Sequence, residues 1–186
     1  MSDRIPRIEY EDFMPELAEA LRPKVERLGY CGEIWRIGAN APKSMLSFCN
    51  FTEDLKAELP EKLVELVALT VAGVMGNVYE RNQHERLSEK RGFGREWIRD
   101  VNALRPGEAS ALDADERKVQ RFAIAAIDKR GHGVEKEFEE VVKAVGPQHA
   151  VAVLLAVGRN LTHAIFRNTL GLEPPVASIF EEEKAA

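Results

Sequence analysis

Between Pro60 and Gly92 the chain reads PEKLVELVALTVAGVMGNVYERNQHERLSEKRG, and this stretch limits the possible folds more than any other. Pro60 stands where a first helical turn tolerates it, and Glu61 and Glu65 suit the positive N-terminal end of a helix. Leu63, Leu66, Val67, Leu69, Thr70, Val71 and Val74 make that helix apolar on most of its circumference, so other elements must bury it. Gly73, Gly76 and Asn77 interrupt it. Asn77 is a natural cap for a second helix that runs to Arg91 and stops at Gly92.

The same stretch holds a compact set of acid–base side chains: Glu65, Glu80 and His84, with Asn77 and Tyr79 beside them. Glu80 and His84, four residues apart, share one helix face. On one straight helix Glu65 would lie about 22 Å from Glu80, at ~1.5 Å rise per residue, too far to share a proton. A sharp bend at Gly76–Asn77, or a carboxylate from a neighbouring subunit, is required. A buried carboxylate beside an imidazole has a shifted pKa and moves protons near neutral pH. The plainer alternative is a half-exposed Glu80–His84 pair with Glu65 in solvent.

These residues suggest His84 as general base, Glu80 as its orienting partner or the acid, and Glu65 as a relay. Tyr79 is either a hydrogen-bond donor to a substrate carbonyl or half-buried packing, and Asn77 either a cap or a ligand contact. Further along, His163, Arg159, Arg167 and Asn168 suit a carboxylate, because arginine offers a planar donor fork; Arg167 on an exposed helix end is the alternative. Neither a metal nor a cofactor is expected, since Glu80 and His84 supply only two ligands from one helix.

The run from Leu59 to Gly92 resembles the core motif of the carboxymuconolactone decarboxylase and alkylhydroperoxidase D family. It carries the Leu-Pro entry, the Glu65-Leu66 pair and the segment of Tyr79, Glu80 and His84. The alkylhydroperoxidase D branch has a Glu, then Cys-x-x-Cys, then a His four residues after the second cysteine. Here Glu65 and His84 match, but the cysteine positions hold Asn77 and Glu80. The resemblance implies an AhpD-like helical bundle that self-associates as a dimer, trimer or hexamer, with a small-molecule substrate. It also implies proton-transfer chemistry, either decarboxylation or isomerisation of a carboxylated lactone or similar enolisable acid. Hydroperoxide reduction is the second reading, opposed by the missing cysteine pair. A non-catalytic helical oligomer is the third.

A net charge of −5 argues against a nucleic-acid or anionic-membrane partner. No apolar run approaches a membrane span and the N-terminal stretch lacks a signal-peptide core, so a cytoplasmic location is expected. Cys31 and Cys49 fit a reducing compartment, and their wide spacing matches neither a redox motif nor a metal knuckle.

No segment alternates long enough to be a strand, so the fold class is all-α. Residues 1–54 read as an arm (1–11) and covering helices, 55–173 as the family-like core, and 174–186 as a tail, all in one structural domain. Helices are expected at about Met14–Leu28, kinked or ended by Pro23, at Glu33–Ile37, and from Pro42 to near Lys56. After the core motif come GREWIRDVNAL, with Trp97 and Ile98 inward, and a helix capped by Asp113 or Asp115. Val134–Val145 is closed by Gly146-Pro147, and His149–Leu170 follows. The arm and the tail are of the kind that lies on a neighbouring subunit, and the tail is otherwise mobile. Asn77, Glu80 and His84 have a faint echo in Asn160, His163 and Arg167, by chance or by an old duplication.

Overall fold

The computed structural model describes residues 5–182, and within them the chain is all-α. The helices are α1 Pro15–Leu28, α2 Glu33–Gly38, α3 Pro42–Glu58, α4 Glu61–Val74 and α5 Val78–Lys90. They continue with α6 Arg95–Ala103, α7 Ala114–Asp128, α8 Glu135–Leu170 and the short α9 Ile179–Glu182.

Helix α4 is the centre, as its all-round apolar pattern requires. Its side chains from Leu66 to Ala72 are buried, and it packs on α5, α7 and α8. Leu66, Val67 and Leu69 join Ile98, Val119, Phe122 and Val153 in the main core. Each such burial contributes about 1.5–3 kcal/mol. Trp97 and Ile98 of α6 face inward. Asp113, not Asp115, caps α7: its Oδ1 accepts from the Glu116 amide at 2.8 Å while Glu116 Oε2 accepts from the Asp113 amide at 2.9 Å.

The two helices expected on either side of Gly146-Pro147 run end to end as α8. The break between them is real, with Gly146 at φ 80°, ψ 164°. In α1 the backbone continues through Pro23 to Leu28 despite the one backbone bond that proline cannot make, and buried Leu17 and Leu21 anchor the turns before it.

A second apolar cluster gathers Leu17, Leu21, Ile34, Trp35, Ile37 and Cys49 from α1–α3 around Tyr79 and Leu172. Arm residues 5–9 are extended along α2 of the same chain: the Ile8 amide donates to Arg36 O at 3.1 Å, and Arg7 pairs with Glu33. The tail departs from expectation. Up to Glu182 it lies on α5 of its own chain, because the wholly buried Glu85 needs donors there. Ser178 Oγ donates to Glu85 Oε2 at 2.6 Å and the Ile179 amide at 3.3 Å, while Asn82 donates to Val176 O at 2.9 Å. The arm and tail expectations for 1–4 and 183–186 fall outside the described residues.

Candidate active site

The corner between α4 and α5 is where the site is made. Gly76 takes φ 60°, a left-handed conformation that costs other residues energy, and Asn77 Oδ1 accepts from the Glu80 amide at 3.1 Å to start α5. The chain reverses, α5 returns along α4, and Glu65 Oε2 comes within 2.6 Å of His84 Nδ1. A bend within one subunit therefore brings these two together. Glu65 Oε1 accepts from Arg91 Nη1 at 2.7 Å. His84, Ser88 and Arg91 lie at helical spacing on one face of α5, so this partner of Glu65 was implicit in the sequence once the hairpin is drawn.

On the other side of the imidazole, His84 Nε2 lies 3.5 Å from Glu80 Oε2. Glu80 then reaches across to α8: its Oε2 accepts from His163 Nδ1 at 2.8 Å and its Oε1 from Arg167 Nη2 at 2.9 Å. The Arg167 guanidinium lies over the Tyr79 ring at 3.6 Å. The result is a continuous line of side chains: Arg91, Glu65, His84, Glu80, then His163 and Arg167. Among these, Glu65, Glu80, His163 and Arg167 are buried. Arg167 is thus an interior residue, not an exposed helix end. The echo noted in sequence becomes contact, since Glu80 touches both His163 and Arg167.

Burial and charge set the protonation of each group. Burial pushes the His84 imidazole down, but the Glu65 carboxylate, and then Glu80, outweigh it and hold its pKa up at about 9. His84 is therefore an imidazolium at neutral pH, with both ring N–H groups facing carboxylates. Burial would raise the Glu80 carboxyl, but His163, Arg167 and His84 hold it well below the usual carboxylate range. Burial dominates at His163, whose pKa falls to about 3, so it sits neutral with its Nδ1–H on Glu80.

These groups line a cavity of about 840 Å³ where the two apolar clusters meet. Its wall includes Glu65, Tyr79, Glu80, His84, His163 and Arg167. Asn77 is the cap of α5, with its side chain buried at the corner. Asn168 donates to Met75 O at 2.8 Å, bracing that corner. Lys24, Trp35 and Thr52 also line the cavity. Nothing local in the sequence marks them, because α1–α3 fold over the core from a distance. Among the described wall side chains eight are lysine or arginine and four are carboxylates, although the chain as a whole carries a net charge of −5. Among the described residues, no group of three His, Cys, Asp or Glu side chains is arranged to hold a metal ion.

The model of the Carboxymuconolactone decarboxylase family matches residues 42–114. No curated protein matches the chain. Among solved structures, the debrominase Bmp8 in complex with 2,3,4-tribromopyrrole is similar with a TM-score of 0.79 at 15% identity, over 98% of this chain and 97% of its own. The alkylhydroperoxidase AhpD core of a peroxidase-related protein from Ralstonia eutropha gives 0.79 at 14% identity, over 92% of this chain and 91% of its own. A protein of unknown function from Agrobacterium tumefaciens gives 0.67 at 17% identity, over 75% and 95%. At these identities the likeness is one of fold. Residues 42–114, which carry Glu65, Glu80 and His84, match the model of the carboxymuconolactone decarboxylase family, and the chain around them has the AhpD-like all-α fold.

Proposed function

We propose that this protein is a small-molecule acid–base enzyme that decarboxylates a carboxylated lactone or similar enolisable acid, with His84 as proton donor. The observation that carries this reading is the position of His84, held between Glu65 and Glu80 at the wall of a cation-rich cavity. An imidazole already protonated at neutral pH is an acid at rest, not the base suggested by its residue type alone. Its Nδ1 is held at 2.6 Å by Glu65 and its Nε2 only at 3.5 Å by Glu80, so Nε2–H is the proton free to leave.

Decarboxylation needs such a donor and no strong base. The substrate's C–CO₂⁻ bond breaks and carbon dioxide leaves. The electron pair passes into the adjoining unsaturated carbonyl as an enolate, His84 Nε2–H protonates the carbon, and solvent restores the imidazolium. The cationic wall stabilises the enolate charge. Isomerisation also requires a base, and Glu80, held so far below the usual range, is a weak one. The small brominated ring bound by the debrominase of the same fold supports a ring-sized ligand. The two thiols oppose hydroperoxide reduction. Burial pushes the Cys31 thiol up to about 11 and also raises Cys49, and both lie outside the Glu65–His84 hairpin.

The test is carbon dioxide release from a panel of carboxylated lactones and β,γ-unsaturated keto acids. Turnover of at least one member is expected, with a loss of about 10²–10⁴-fold in a folded His84→Gln variant. A folded His84→Gln variant that retains the wild-type rate rejects the reading.

A further inference from the structure

The cations around the cavity are not equivalent. Arg91 is committed to Glu65 and Glu61, and Arg167 to Glu80. Arg159 differs. Its Nε donates to Thr52 Oγ1 at 3.0 Å and its Nη1 to Asn160 Oδ1 at 2.9 Å, and its guanidinium lies over the Phe48 ring at 5.1 Å. These partners are neutral. They fix the plane of the fork, and among the described residues no carboxylate is ion-paired with it, although Glu80 and Glu53 act through space on its charge in the cavity wall that it lines. Nearby, Lys24 lies 3.8 Å and Lys56 2.9 Å from the same carboxylate, Glu53. Lys24 and Lys56 therefore share one carboxylate, whose field also reaches Arg159. Lys24 also sits 4.4 Å above the ring of Trp35, which forms part of the wall.

Position completes the case. Arg159 is four residues before His163 on α8, so the two share a face about one turn, or ~5–6 Å, apart. His163 in turn bonds Glu80, the neighbour of His84. Arg159 and the proposed proton donor thus line one cavity and are linked through His163 and Glu80.

We infer that Arg159, oriented by Thr52 and Asn160 and assisted by Lys24, is a carboxylate-binding subsite that fixes the substrate's orientation in the cavity. This rests on the acid–base reading for its purpose, but its binding claim stands separately. Burial, and then Lys56, lower the Lys24 pKa to about 8, and the Glu53 carboxylate only partly offsets them. The apolar wall provided by Leu55, Leu59, Val64 and Ala68 suits the body of a small acid with a single charged end here.

The test uses benzoate as probe and benzamide as its neutral isostere, read by tryptophan fluorescence. Trp35 lines the cavity, whereas Trp97 is buried in the main core, so a ligand-linked change reports on Trp35. Saturable benzoate binding is expected, with none by benzamide. Arg159→Met should weaken benzoate about tenfold or more, and Arg159→Lys should weaken it less, because the charge remains while the fork is lost. A folded Arg159→Met variant that binds benzoate as wild type does, or equal binding of benzamide, overturns the subsite. Loss of turnover in His84→Gln bears on the proposed reaction and not on this result, so the two claims fail separately.

Discussion

Glu65 and His84 stand nineteen positions apart in the chain, and their side chains meet at 2.6 Å. The left-handed turn at Gly76 produces that meeting, and the pair buries a carboxylate and an imidazole that each justify the other. Removing either leaves the other buried with only its second partner, Glu80 for His84 and Arg91 for Glu65, so the contact ties the fold to the proposed chemistry.

The two buried histidines give stability opposite pH dependences. The His84 pKa is raised to about 9 in the folded chain, against ~6.5 unfolded, so its contribution is full below about pH 6.5 and is lost as pH rises towards 9. His163 is lowered to about 3, so the unfolded chain takes up a proton that the folded chain refuses, and stability falls as pH drops below about 6.5. Glu65 and Glu80, both held below their ordinary range, steepen the loss under about pH 4.5. Denaturant midpoints measured across pH should peak near pH 6.5. His84→Gln should remove the decline on the alkaline side, and a wild-type profile that stays level from neutrality to about pH 9 would count against the assignment.

Glu80 is the junction of the network, and its loss should be costly. Glu80→Ala leaves Arg167 buried without its carboxylate, and a drop of about 3–5 kcal/mol is expected in chemical denaturation. Glu80→Ala combined with Arg167→Met should recover part of that loss, because the stranded charge is removed too. If the double variant is as unstable as the sum of the two single changes, the two side chains are not coupled as described.

Much of this was legible in the sequence, and for identifiable reasons. The all-round apolar pattern from Leu63 to Val74 announced a buried helix, and Gly76 with Asn77 announced the corner, because glycine conformation and capping are local properties. Glu65, Glu80 and His84 were singled out as residue types, but their contact depends on the angle of that corner, which spacing does not encode. The charge state of His84 was beyond sequence reasoning altogether. It depends on having carboxylates on both sides, one of them from another helix. The partners of Arg159 and the cover provided by Lys24 and Trp35 come from distant segments, so no local pattern marks them. The tail was misjudged because the donors it gives to Glu85 are ordinary backbone and serine groups.

Thiol chemistry should be absent. A disulfide-forming pair needs Cβ atoms about 4 Å apart and an accessible thiolate. Cys49 is buried and both thiols are raised by burial. Negligible hydroperoxide reduction with a dithiol donor is expected. A robust rate abolished by Cys49→Ser would restore the peroxidase reading.

The α8 surface points to self-association. Val151, Leu154, Leu155 and Ile165 fall on one face of that helix and are each 44–52% exposed. By length and composition α8 also passes as a membrane-crossing helix, with a third of its most apolar window buried inside the subunit. A second copy of this chain is the proposed cover, and Val151→Glu with Leu155→Glu should convert the assembly to monomer in sedimentation. A wild-type chain that sediments as a compact monomer at micromolar concentration contradicts it.

The proposed reaction turns on His84 being a charged donor at rest, and nitrogen-detected NMR of the histidine side chains measures this directly. At neutral pH both ring nitrogens of His84 should be protonated, with titration near the value of about 9. His163 should stay neutral over the same range, and Glu65→Gln should bring the His84 transition down towards about 6.5. A His84 ring that is neutral at pH ~7.5 and titrates like a free imidazole would contradict the assignment of His84 as the proton donor.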